Sequence, residues 1–127
     1  MNETLQQLRP LRPLLVRAAE DVFKASIGKD EKLKSQLNHL IAVTNEAVCH
    51  DEIALYLRYQ SAREGAPIEA GLSASMIGKI QSIFSNARPP IADEHLRVAA
   101  WRLYAVYLAR AFTYSKARNA PHARGPR

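Results

Sequence analysis

The chain has 127 residues, 47% of them apolar and 24% charged, which suits one soluble globular domain with a single core and leaves no room for two. A lone cysteine, Cys49, excludes an internal disulfide and points to a reducing, cytoplasmic setting. The net charge of +6 is unevenly placed: residues 1–86 hold ten basic and ten acidic residues, and residues 87–127 hold eight against two. A neutral body with a basic C-terminal third favours a polyanionic partner, nucleic acid above all, over a plain solvated tail.

The apolar spacing is helical almost throughout. A first helix is predicted to open at Pro13, a good first-turn residue, and to carry Leu14, Leu15, Ala18, Val22 and Phe23 as far as Gly28. Pro10 and Pro13 make the LRPLRP lead-in an extended or capping segment. A second helix is expected from an Asp30 N-cap, with Leu33, Leu37, Leu40, Ile41, Thr44 and Val48 spaced by threes and fours. Cys49-His50-Asp51 reads as a joint whose Asp51 caps a third helix, with Ile53, Tyr56 and Leu57 inward and a stop at Gly65.

Ser73 is expected to cap a fourth helix carrying Met76, Ile77, Ile80, Ile83 and Phe84, which Arg88-Pro89-Pro90 terminates. Asp93 caps the longest, most aromatic helix, running to about Ala117. Its inward arc is Leu96, Ala100, Leu103, Tyr104, Tyr107, Leu108, Ala111 and Tyr114, with Trp101 and Phe112 at the edge. No strand pattern, repeat or low-complexity block occurs. The fold class is all-α, a single compact bundle of about five helices over residues 1–117, with a flexible basic tail over 118–127.

Reactive groups do not converge. His39, His50, His95 and His122 are scattered, with no metal-ligand spacing, glycine-rich phosphate loop or nucleophile elbow, so no metal, cofactor, small-molecule substrate or enzymatic activity is expected. Cys49 and His50 diverge by about 100° on a helix and read as a small buried hydrophobe beside a surface histidine. Arg88 and His95 loosely resemble the Arg–His pair of small helical HEPN ribonucleases, but Pro89 and Pro90 between them break the helix such a site needs. No apolar leader follows Met1, and the most apolar stretch, 96–114, holds three arginines, so neither a signal peptide nor a membrane span is expected.

The cations are more informative. On the last helix Arg102, Arg110 and Lys116 share the outer side with Val106, Ala109 and Thr113, where small residues let a backbone approach while phosphates meet the long side chains. Arg97 falls on the apolar side of the first turn and is expected to snorkel or to pair with Glu94. Arg58 points away from Ile53 and Leu57, whereas Arg63 stands near a helix C-terminus, which favours a cation.

The run Leu57-Arg58-Tyr59-Gln60-Ser61-Ala62-Arg63-Glu64, preceded by the 37–48 helix and followed by the aromatic, alanine-rich 95–114 helix, resembles the small helical subunit of type III-A CRISPR effector complexes. Ala62 stands where that family often has glycine, the loop over 65–72 is longer, and the basic tail is extra. The resemblance implies a non-catalytic subunit, several copies of which associate along a filament with the other effector subunits. It would line the guide RNA–target RNA duplex and grip backbone without reading sequence, through Arg58, Arg63, Arg97, Arg102, Arg110 and Lys116. The alternative is an unrelated helical nucleic-acid-binding or regulatory protein with a helix-turn-helix near 73–91.

Overall fold

The computed structural model describes residues 2–24 and 31–119. They form an all-α bundle: α1 (Asn2–Leu8), a 3-10 turn (Arg9–Leu11), α2 (Arg12–Val22), α3 (Glu31–Glu46), α4 (His50–Ala62), α5 (Ala70–Asn86) and α6 (Glu94–Asn119). No strand occurs among the described residues. The five longer helices match the five expected from sequence; α1 and the 3-10 turn are additional.

The LRPLRP segment is helical rather than extended. Leu11 and Arg12 both adopt right-handed helical angles. Pro10 and Pro13 each fall in the first turn of a new element, where the missing N–H has no intrahelical partner to lose. The helical path therefore tightens at Pro10 and continues, burying Leu8, Leu11 and Leu15 on one side. The Asp30 cap and the helix over 25–28 lie outside the described residues. Of the tail assigned to 118–127, Arg118 and Asn119 continue α6, and the rest lies outside them.

The helix α6 is the axis of the bundle. It packs along both α2 and α3 and also meets α1 and α4, while α5 lies against α2 and α4. Being surrounded, it buries residues on more than one face: Leu96, Val98, Ala100, Trp101, Tyr104, Ala105, Leu108 and Phe112. Two expectations are corrected here. Phe112, placed at the edge by the sequence pattern, is among the most buried side chains, and Tyr114, placed inward, is 61% exposed. Trp101, at the same edge, is buried as a core residue should be. A single apolar arc is the signature of a helix packed on one side, and α6 is not one.

Several caps also differ from expectation. Asp93 does cap α6, its carboxylate accepting the Leu96 N–H at 3.3 Å. Asp51, however, lies inside α4, whose N-cap residue is Cys49 and makes no side-chain cap. The orphan N–H of His50 is met instead by Glu94 Oε1 at 2.8 Å, from the first turn of α6. The Val48 N–H is met by Glu52 Oε1 at 2.9 Å. Ser73 is a buried residue of α5, which already starts at Ala70, and its hydroxyl has no hydrogen-bond partner. Val48, expected to be part of an apolar stripe, is exposed because α3 ends at Glu46. At the other end of α4, Gly65 supplies the left-handed φ of 71° that turns the chain after the helix has stopped at Ala62.

Candidate nucleic-acid interface

The six cations expected to face RNA occupy different environments. Arg97 is half-buried and fully engaged. Its Nε donates to the Ile91 carbonyl at 2.9 Å, one terminal nitrogen pairs with Glu94 Oε2 at 2.9 Å, and the guanidinium lies 5.7 Å from the centroid of the Phe84 ring. This is the Glu94 pairing expected from sequence, and it ties the 91–93 loop to the start of α6.

Arg102 is exposed but also engaged. Its Nε donates to the Thr44 carbonyl at 3.0 Å, and a terminal nitrogen reaches the Asn45 carbonyl at 3.5 Å. These carbonyls belong to the last turn of α3, where a cation both satisfies orphan acceptors and complements the helix dipole. Arg63 is the C-cap residue of α4 and donates to Gln60 Oε1 at 3.2 Å. Arg58 and Arg110 are exposed, and neither side chain has a hydrogen bond or ion pair among the described residues. Lys116 lies on the last turns of α6, with its side chain outside the described set.

Arg110 lies in a groove of about 1040 Å³ between α2 and α6, lined among others by Arg17, Lys24, Tyr107 and Tyr114. The Tyr107 hydroxyl accepts from Arg12 Nε at 3.5 Å, which brings a further cation to the groove's edge. Glu20 and Asp21 stand on the α2 side, and Lys24 pairs with Asp21 at 3.8 Å. Positive charge not held by a partner is thus carried by Arg17 and Arg110, with tyrosine rings on the α6 wall. That combination, cations for phosphates and rings for bases, is what a nucleic-acid strand requires. The sequence signal for this groove was the α6 tyrosines together with Arg12 and Arg17. It was missed because Tyr107 and Tyr114 were assigned to the core. Arg58 does not join it, since α4 packs on α5 and α6.

Elsewhere the polar chemistry is internal. His50, expected at the surface beside a buried Cys49, is itself buried, and Cys49 is only partly so. The Trp101 indole N–H donates to His50 Nδ1 at 2.8 Å, and His50 Nε2 lies 3.3 Å from the Gln81 side-chain amide. An Nδ1 that accepts fixes the neutral tautomer with its proton on Nε2, so the Gln81 amide is best oriented with its oxygen toward the ring. Burial holds the His50 imidazole below its ordinary value near 6.5, opposed by the charge of Asp51 and reinforced by Arg97. Burial likewise raises the Tyr104 phenol, which donates to the Met76 carbonyl at 2.8 Å.

Arg88 and His95 do not form a pair. Both are exposed, and the Arg88 guanidinium folds back onto the carbonyls of Ser85 and Ala87. Among the described residues no group of His, Cys, Asp and Glu could hold a metal ion, and no helix is long and apolar enough to cross a membrane. Comparison with protein-family models, curated proteins and solved structures gives no match.

Proposed function

We propose that the protein is a non-catalytic helical subunit that binds RNA through its backbone, using the groove between α2 and α6. The observation that carries this reading is the placement of Arg110 between Tyr107 and Tyr114 on α6, with Arg17 on the facing wall and no partner for either arginine among the described residues. The basic excess beyond residue 86 supports it, because Arg110 belongs to that excess. Recognition is of phosphate and stacked rings, hence independent of sequence.

In its finer form the proposal is a small subunit of a type III CRISPR effector complex, in contact with guide and target RNA and with the other effector subunits. That form rests on the LRYQSARE resemblance. The regulatory alternative fares worse. A helix-turn-helix reader built on α5 and α6 would need α6 to enter a major groove, yet α6 is the central helix and buries Leu96, Val98, Ala100 and Trp101 in its first turns.

The test is RNA binding at several salt concentrations. Arg110→Ala and Arg17→Ala should each weaken binding and lower the salt slope by about one unit, irrespective of RNA sequence. Unchanged affinity and slope in both would remove the groove as an RNA surface. Co-purification with RNA of uniform length would support the effector-complex form.

A further inference from the structure

The outer face of α4 carries exposed apolar side chains that no described residue covers. Leu55 is 66% exposed, Tyr59 61% and Val48, just before the helix, 78%. At about 100° per residue, Leu55, Tyr59 and Ala62 of α4 fall within an arc of about 60°. One flank of this stripe carries Asp51 and Arg58; the other carries Glu52 and, two turns beyond, the Tyr59 hydroxyl. The side chains of Asp51 and Arg58 make no hydrogen bond or ion pair among the described residues. Large hydrophobics that the fold leaves out, beside an Asp51 and an Arg58 that no described residue pairs with, mark an interaction surface.

The order of the charges identifies the partner. Both acids stand at the N-terminal end of α4, and Arg58 stands towards its C-terminal end, on the same flank as Asp51. We infer that this face docks onto the same face of a second copy, the two α4 helices antiparallel about a two-fold axis passing beside Leu55. In such an isologous contact residues equally far before and after the axis meet across it, and each flank meets its own counterpart. Asp51 of each copy then faces Arg58 of the other, giving two symmetric ion pairs. Glu52 faces the Tyr59 hydroxyl on the opposite flank, and Leu55 packs on its own mate. A parallel arrangement would instead set each flank against the opposite flank of the partner, bringing the acid Asp51 against the acid Glu52 and leaving Arg58 beside Tyr59 with no carboxylate. The antiparallel helix dipoles add in the same sense.

The contact is one helix wide and so belongs at or below the low end of the ~1,200–2,000 Å² that stable interfaces bury. The dimer is therefore expected to dissociate on dilution. It uses neither Arg17 nor Arg110, so it stands whether or not the α2–α6 groove binds RNA.

Sedimentation velocity of the full chain over a hundredfold concentration range should show a monomer–dimer equilibrium. Asp51→Arg and Arg58→Asp, each alone, place like charges across the axis and should shift dissociation at least tenfold towards monomer. An equimolar mixture of the two variants should recover a heterodimer, because in the mixed pair both contacts unite opposite charges. That recovery also shows that neither variant had merely unfolded. In a Cys49→Ser background, Leu55→Cys should form a disulfide-linked dimer under mild oxidation, whereas Ser35→Cys, on exposed α3 surface, should not. A wild-type chain that stays monomeric across the range would overturn the proposal. So would a mixture no more dimeric than its components, or Leu55→Cys cross-linking no better than Ser35→Cys.

Discussion

The indole N–H of Trp101 donates to Nδ1 of His50 over 2.8 Å, joining an early turn of α6 to the first residue of α4. The same histidine is held through its backbone N–H by Glu94, and its ring stands edge-on to Phe84 at 5.7 Å between centroids. One side chain thereby fixes the start of α4 against both α5 and α6, and it does so only while neutral. Protonation would place a proton on Nδ1, facing a donor.

Acid should therefore destabilise the fold through His50. Its folded pKa lies below the ordinary value near 6.5 because of burial. The unfolded chain then takes up a proton that the folded one resists. Stability is full above about 6.5 and falls as the pH drops from there towards the folded value. Thermal melts between pH 7.5 and 5 should show this decline, and His50→Phe should flatten it.

Removing the imidazole at neutral pH should also be costly. His50→Ala leaves the Trp101 N–H buried without an acceptor and opens a void, together about 2–4 kcal/mol. Denaturant unfolding measures it, and a loss below about 1 kcal/mol would mean that the Trp101–His50 contact matters little.

Ser73→Ala should have the opposite sign. The Ser73 hydroxyl is buried in α5 without a partner, so its removal relieves a desolvation penalty and improves helix propensity. A gain of up to about 1 kcal/mol is expected in the same assay. A serine acting as the helix cap would instead lose about that much on substitution.

Arg102→Ala and Arg110→Ala should separate two roles that look alike in sequence. Arg102 caps the last carbonyls of α3, and its loss should cost about 0.5–1.5 kcal/mol of stability. Arg110 has no such contact, and its loss should leave stability within about 0.5 kcal/mol while lowering the RNA salt slope by about one. Parallel unfolding and binding measurements on both variants decide the assignment.

The helices were legible because their apolar residues recur at threes and fours, and because punctuation such as Arg88-Pro89-Pro90 is local. Leu33, Leu37, Leu40, Met76, Ile77 and Ile80 all sit in the core as their spacing requires. What sequence spacing does not carry is partnership across long separations. Nothing near residue 50 announces that Glu94 caps α4, or that Trp101 will bury His50. Arg97 and Glu94, three residues apart on one helix, were within reach of local reasoning, whereas Arg102 on the carbonyls of Thr44 and Asn45 was not. The inward side of α6 was misjudged for the same reason: the periodic pattern assumes one packed face, and α6 has neighbours on several.

That central position of α6 has a consequence for synthesis of the chain. Contacts such as Ser115 to the Phe23 carbonyl, 92 residues apart, and Arg12 to Tyr107, 95 apart, join the first part of the chain to the last helix. Leu15 and Ala19 of α2 have no complete hydrophobic surroundings until α6 has been made. At translation rates of about 5–20 residues per second, the N-terminal helices wait roughly 5–20 seconds for it. During that interval the apolar side of α2 is open to solvent and to whatever else binds nascent chains. A ribosome stalled before residue 94 would display an unfinished bundle, recognisable by its sensitivity to protease, and release of α6 from the exit tunnel would be the event that closes it.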